Sequence, residues 1–194
     1  MAQKASREGT RGKNKVPRRQ FLKTVTVAAG GATFFPACGK PPARWRFLTE
    51  SEAETLSAIS EQIIPTDQDP GAITAGVPNF IDRQLVGPYK RFQEAYRSGL
   101  AGVDETSRAM FGARFSDLAW DKQTKVLQEM EAGRVQAPAW TSQSAATFFV
   151  LVRDHSLQGF YGSPRHGGNR NYVSYRMLGI DYPQIIGQNR YKKA

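Results

Sequence analysis

The stretch LTESEAETLSAISEQIIP, residues 48–65, decides the fold class. Thr49 followed three residues later by Glu52 is the pattern of a capping box, in which each side chain accepts a hydrogen bond from the other residue's backbone N–H at a helix start. Apolar residues then recur every three or four positions as far as Ile64. Pro65 ends this pattern, because proline cannot extend a helix interior. The stretch predicts an amphipathic helix that buries one face.

Helical spacing continues along the rest of the chain, and strand-like alternation is scarce. We expect a loop over residues 66–76, because Asp, Gly and Pro are frequent there. Further helices are predicted for residues 77–87, 121–131, 144–159 and 170–178, and Gly133 ends the second of these. A longer helix between the first two is marked by Tyr89, Phe92, Tyr96, Leu100 and Val103. Gly99 and Gly102 are expected to weaken the far end of this longer helix.

These patterns predict an all-α architecture, a single domain of about five or six helices with long Gly/Pro-rich loops, preceded by a signal peptide. The expected boundary places a leader in residues 1–43 and the helical domain in residues 44–194. One domain is also what a chain of 194 residues favours.

The positive charge of the chain is concentrated near the N-terminus. Of 27 basic and 17 acidic residues, eleven basic residues and one acidic residue, Glu8, lie in residues 1–46. The remainder therefore carries 16 residues of each sign. Because nucleic-acid binding needs a basic surface on the folded domain, this balance argues against a nucleic-acid partner.

The leader contains a paired-arginine motif. A polar, basic stretch precedes Arg18 and Arg19, and the apolar residues 24–37 follow Phe21, Leu22 and Lys23. This order resembles a twin-arginine signal peptide, although Pro17 replaces the usual Ser or Thr. The apolar run is too short for a membrane span and is interrupted by two adjacent glycines. We therefore expect export by the twin-arginine translocase.

Two kinds of processing fit the end of the leader. Residues 35–39 partly resemble a lipoprotein processing site, where Cys38 would become the lipidated first residue. Cleavage by ordinary signal peptidase near Ala37 or Ala43 is the alternative. Because Cys38 is the one cysteine of the chain, residues 47–194 offer no disulfide and no thiolate ligand.

Few residues of the domain suit catalysis or metal binding. His155 and His166 are the only histidines, and a metal site would need both together with a carboxylate such as Asp154. A histidine among Phe and Val residues of a helix is more often a hydrogen-bonded core residue. The sequence also lacks a Gly-x-Ser-x-Gly elbow and a phosphate-binding glycine loop. We therefore expect no catalytic, cofactor-binding or metal-binding residues in this chain.

A long Gly-rich and aromatic segment, residues 155–169, is expected to lie outside regular secondary structure. Such a segment is typical of a binding loop. It also fits a structural loop in which glycines supply positive φ while Phe160 and Tyr161 fill the core. The candidate partner-binding or structural residues are Gly159, Phe160, Tyr161, Gly162, Pro164, Gly167, Gly168 and Asn169, with Gly179 and Pro183 further along.

Over residues 16–184 the chain resembles the small subunit, called subunit 3 or gamma, of membrane-associated gluconate 2-dehydrogenase and related sugar dehydrogenases. The resemblance is carried by the twin-arginine leader, by residues 47–49 leading into a helix that ends at residues 63–67, by residues 71–78, and by residues 159–169 with residues 178–183. The Gly-Phe-x-x-x-Pro-x-x-Gly-Gly-Asn block is its most specific motif.

The resemblance implies a non-catalytic partner of a large FAD-containing dehydrogenase of the glucose-methanol-choline type. In such complexes a multihaem cytochrome c, with haem c, often forms a third subunit. The small subunit would help the flavoprotein to mature and would lend it the export signal. The complex would then be periplasmic and associated with the inner membrane.

Two other functions fit parts of the sequence. A self-standing periplasmic enzyme would use His155 or His166 as a general base. A lipid-tethered binding or scaffold protein would be attached through Cys38. Neither accounts for the leader and the Gly-rich block together.

Overall fold

The computed structural model describes residues 44–135 and 138–180, and within them the chain is all α, with no β-strand. Five short 3-10 turns join the helices at Lys90–Phe92, Phe115–Asp117, Pro138–Thr141, Pro164–His166 and Arg170–Tyr172. The α-helices of the described residues are α1 (Glu50–Ile63), α2 (Ala72–Ala75), α3 (Val77–Leu85), α4 (Gln93–Phe111), α5 (Trp120–Glu131), α6 (Ala145–Tyr161) and α7 (Val173–Met177). The predicted fold class is confirmed.

The predicted capping box opens α1. Thr49 N donates to Glu52 Oε2 at 2.8 Å, and Glu52 N donates to Thr49 Oγ1 at 3.2 Å. α5 likewise matches its predicted range, and Gly133 behind it adopts a left-handed φ of 67°. Residues 66–76, which are expected to form a loop, contain the one-turn helix α2. The described residues therefore form seven α-helices, where about five or six are predicted.

Helix α6 lies at the centre of the domain and packs against α1, α3, α4 and α5. Its side chains Phe148, Val152, His155 and Phe160 are buried. Phe148, Val152 and Phe160 join one continuous core with apolar residues from α1, α3, α4 and α5, such as Leu56. A central helix must be apolar on several sides, as the dense Phe and Val content of α6 predicts.

Gly99 and Gly102, which are expected to weaken helix α4, do not interrupt it. α4 runs without interruption through both glycines to Phe111. A Cβ at Gly99 would lie 2.3 Å from Phe148 Cδ2, and one at Gly102 would lie 2.8 Å from Trp140 Cε2. The two glycines let aromatic rings pack directly on the helix backbone, and this packing outweighs their low helix propensity of about 1 kcal/mol each.

A buried carboxylate fixes the chain entering α1. Asp82 on α3 is 1 % exposed, and its oxygens accept hydrogen bonds from the backbone N–H groups of Arg46, Phe47 and Leu48 at 2.8–3.0 Å. Arg97 on α4 donates to the carbonyl oxygen of Phe47 at 2.7 Å. Because a buried carboxylate needs such donors, Asp82 ties residues 46–48 to the body of the domain.

None of the helices in the described part of the chain combines the length and the apolar character that crossing a membrane requires.

Candidate functional site

The Gly-rich block begins inside helix α6, as the predicted helix over residues 144–159 requires. The other expectation, that the segment from residue 155 lies outside regular secondary structure, is wrong as far as Tyr161. α6 continues to Tyr161 and ends at Gly162, whose backbone is extended. Phe160 is buried, as expected for a core residue, whereas Tyr161 is 43 % exposed and does not fill the core. The actual loop covers residues 162–172, including two 3-10 turns.

The loop returns to the end of α6 at Gly168. Asn169 N donates to the carbonyl oxygen of Gly159 at 2.8 Å, and a Cβ at Gly168 would lie only 2.1 Å from that oxygen. A Cβ at Gly159 itself would lie 2.8 Å from Phe80 Cδ1 on α3. Both positions therefore require glycine because backbone and ring approach too closely for a side chain.

Asn169 holds the two ends of the loop together. Its fully buried side chain donates through Nδ2 to the carbonyl oxygen of Gly162 at 3.0 Å and accepts through Oδ1 from Ser174 N at 3.0 Å. Tyr175 Oη also donates to the Gly162 carbonyl oxygen, at 3.2 Å. Pro164 begins the 3-10 turn that ends at Gly167, where φ is 103°. The block thus forms a closed, hydrogen-bonded loop against α6 and α7.

His155 lies in an aromatic enclosure within the core. It is 5 % exposed, stacks on Tyr89 with ring centroids 4.1 Å apart, and its Nδ1 lies 2.9 Å from Tyr96 Oη. Phe92 packs edge-on against the same imidazole at 5.1 Å. Burial foremost, with a contribution from Arg91, lowers the pKa of His155 to about 4, and nearby Asp154 opposes the shift. His155 is therefore a neutral, packed residue at pH 7.

His166 occupies a different environment from His155. It is exposed in the loop, and its Nε2 accepts a hydrogen bond from Arg165 Nε at 3.2 Å. Asp154 is also exposed and pairs with its neighbour Arg153. Across residues 44–135 and 138–180, no three His, Cys, Asp or Glu side chains are grouped so that they could hold a metal ion.

A comparison with protein-family models matches residues 50–181, about two thirds of the chain, to the model described as Gluconate 2-dehydrogenase subunit 3. The chain belongs to the gluconate 2-dehydrogenase subunit 3 family. Comparisons with curated proteins and with solved structures found no match. The family match begins at the first residue of α1 and includes α7, so it contains the whole Gly-rich loop.

Several predicted residues of this subunit 3 chain lie outside the described residues. They are the export-signal residues Arg18, Arg19, Phe21, Leu22 and Lys23, the cleavage positions Ala37 and Ala43, the candidate lipidation site Cys38, and Pro183. Gly179 is described, and it adopts a left-handed φ of 62° just after α7. A role of the Gly-rich residues in partner binding stays a prediction.

Sequence reasoning missed the arginines that surround the loop in this subunit 3 chain. Arg83 lies against Gly167, where a Cβ would be 2.8 Å from Arg83 Cδ, and Arg170 lies against Gly76, where a Cβ would be 3.0 Å from Arg170 Nη2. One sequence signal was available, because residues 155–180 contain three arginines and no Asp or Glu. The overall charge balance of the domain concealed this local excess.

Proposed function

We propose that this chain is the non-catalytic small subunit of a periplasmic, inner-membrane-associated FAD-dependent dehydrogenase of the gluconate 2-dehydrogenase type. The family match over residues 50–181 carries the proposal. The FAD belongs to a large flavoprotein subunit of the glucose-methanol-choline type, and a multihaem cytochrome c is a candidate third subunit. The small subunit assists maturation of the flavoprotein and provides the signal for its export.

The environment of the two histidines supports a role without catalysis in this chain. A general base works best when its pKa lies near the operating pH and when it reaches substrate. His155 is enclosed by aromatic rings and has a pKa of about 4. His166 is exposed, and its Nε2 is occupied by a hydrogen bond from Arg165 Nε. These features favour a binding subunit over a self-standing enzyme.

The leader supports the proposed export role. The pair Arg18-Arg19 with Phe21-Leu22-Lys23 resembles a twin-arginine signal, and that pathway transports folded proteins. A flavoprotein that acquires FAD before export would need such a route. A small subunit that is bound to the flavoprotein and carries the signal would transport both chains together.

The export role can be tested in cells that produce both subunits. Arg18→Lys/Arg19→Lys keeps the charge and removes the paired-arginine signal, whereas Lys13→Arg/Lys15→Arg is a matched control just upstream. We expect the first variant to leave both the small subunit and the flavoprotein in the cytoplasm, and the control to behave as the wild type. Flavoprotein that still reaches the periplasm with the first variant would contradict the proposed export role.

A further inference from the structure

Residues 155–180 form the end of α6, the loop and α7, and this part of the chain is strongly basic. It contains Arg165, Arg170 and Arg176, with no acidic residue. By contrast, Arg97, Arg114 and four other basic residues of the domain form ion pairs with Asp or Glu. Among the residues that the structure describes, no acidic side chain lies within ion-pair distance of the three arginines of this segment. All three arginines are exposed.

The fold adds Arg83 from α3 to the same region. Arg83 lies on Gly167, and the neighbouring Gln84 Nε2 donates to the carbonyl oxygen of His166 at 3.3 Å. Arg170 lies on Gly76, at the N-terminal end of α3. Arg83, Arg165 and Arg170 therefore surround the backbone of residues 164–170, and we call these three side chains with that backbone the basic loop surface.

The backbone of the basic loop surface is held in a strained conformation. The residues other than glycine that have positive φ in the described part of the chain are Asn169, Asn171 and Tyr172, at 41°, 57° and 58°. For a residue as bulky as tyrosine this conformation is costly, and it persists only where surrounding contacts enforce it. The hydrogen bonds of Asn169 provide that enforcement. A loop of fixed shape loses little entropy when a partner binds.

We infer that the basic loop surface is the docking site for an acidic surface of the large flavoprotein subunit. This inference rests on the proposed function and adds to it which face binds and by what chemistry. The buried residues Gly159, Gly168 and Asn169 fix the loop, while the exposed Arg165 and Arg170, with the half-buried Arg83, contact the partner. Arginine is enriched at protein interfaces and binds carboxylates through two parallel hydrogen bonds.

The composition of the loop favours a protein surface over an anionic membrane surface. Binding of a peripheral protein to lipid combines basic residues with apolar side chains that enter the acyl region. Residues 163–171, Ser-Pro-Arg-His-Gly-Gly-Asn-Arg-Asn, contain no Leu, Ile, Val, Phe or Trp. The exposed apolar side chains of residues 155–180 lie outside this loop, at Leu157, Tyr161, Leu178 and Ile180. Polar groups and arginines on a rigid backbone suit hydrogen bonding to carboxylates.

The test compares charge reversals in the complete small subunit co-produced with its flavoprotein. Arg165→Glu/Arg170→Glu changes two exposed residues of the basic loop surface. Lys122→Glu/Arg134→Glu makes the same charge change at two exposed residues in and just after α5, where Arg134 pairs with Glu129. α5 packs against α1, α4 and α6. Thermal unfolding checks that both variants are folded. If Arg165→Glu/Arg170→Glu does not fold, the single variant Arg165→Glu takes its place.

We expect the loop variant to bind the flavoprotein at least about tenfold more weakly at low salt, with the difference shrinking as salt is added, and the α5 variant to bind normally. Equal binding by wild type and loop variant would overturn this inference while leaving the proposed function intact. Failure of the wild type to bind any flavoprotein would instead refute the proposed function. A loop variant that loses binding to phosphatidylglycerol vesicles and keeps the flavoprotein would assign the surface to lipid and also overturn the inference.

Discussion

Protonation of His155 should destabilise the folded domain in a defined pH range. The pKa of His155 is about 4 in the fold against an ordinary value of 6.5. The unfolded chain therefore binds the proton more readily, and the stability that the neutral imidazole contributes is present above pH 6.5 and is lost as the pH falls toward 4. With these two values, linkage gives a loss of about 2 kcal/mol in the free energy of unfolding between pH 7 and pH 5.

Urea unfolding at pH 7, 6 and 5 measures this loss directly. Carboxyl groups titrate mainly below that range. His166→Gln, at the exposed histidine, is the matched control. His155→Gln should remove most of the pH dependence whatever its stability at pH 7. A wild type that loses less than about 0.5 kcal/mol, or a His155→Gln variant with an unchanged pH dependence, would refute the burial argument.

Three substitutions test the packing described above, each by urea unfolding at pH 7. Gly168→Ala should cost about 2–3 kcal/mol, because its methyl group would lie 2.1 Å from a carbonyl oxygen of α6, whereas Gly87→Ala, with its nearest atom at 3.7 Å, should change little. Equal effects would contradict the close approach. Asp82→Ala leaves three backbone N–H groups without their acceptor and should lower the free energy of unfolding by about 3 kcal/mol. The exposed Asp121→Ala is the control and should cost under about 1 kcal/mol. A small loss for Asp82→Ala would show that water molecules replace the carboxylate as the acceptor. Gly99→Ala should cost about 2 kcal/mol because Phe148 occupies the space, and a neutral result would mean that the ring moves freely.

Local sequence signals predicted the helices whose ends are encoded by neighbouring residues. Thr49 and Glu52 lie within one turn of each other, so the start of α1 can be read directly. The same holds for α5, which is followed by Gly133 in a left-handed conformation. The one-turn helix α2 was missed because four residues carry too little periodicity to distinguish a helix from a loop.

Some glycines have roles that depend on residues far away in the sequence. Gly99 is unfavourable for a helix in isolation, yet it makes room for Phe148, which lies 49 positions further along the chain. Gly168 likewise packs on the carbonyl oxygen of Gly159 after the chain has turned back. Tertiary contacts of this kind outweigh helix propensity and cannot be deduced from local composition.

The sequence indicates the segment of the candidate site but does not distinguish its buried residues from its exposed ones. The Gly-Phe-x-x-x-Pro-x-x-Gly-Gly-Asn pattern marks a segment that the family match includes, and its role in partner binding stays a prediction. Exposure, which only the fold determines, separates the buried Asn169 from the exposed Arg170 beside it. The contribution of Arg83 depends on how α3 packs against the loop, and its sequence position gives no hint of this contact.

The most direct test of the central claim is purification of a C-terminally tagged copy from its native host, followed by an absorbance spectrum and identification of the co-purifying chains. We expect a flavin spectrum, a large flavoprotein partner, and dehydrogenase activity that stays with the flavoprotein when the two chains are separated. A small subunit that is recovered alone and colourless, or that oxidises a substrate without the flavoprotein, would refute its proposed role as a non-catalytic partner.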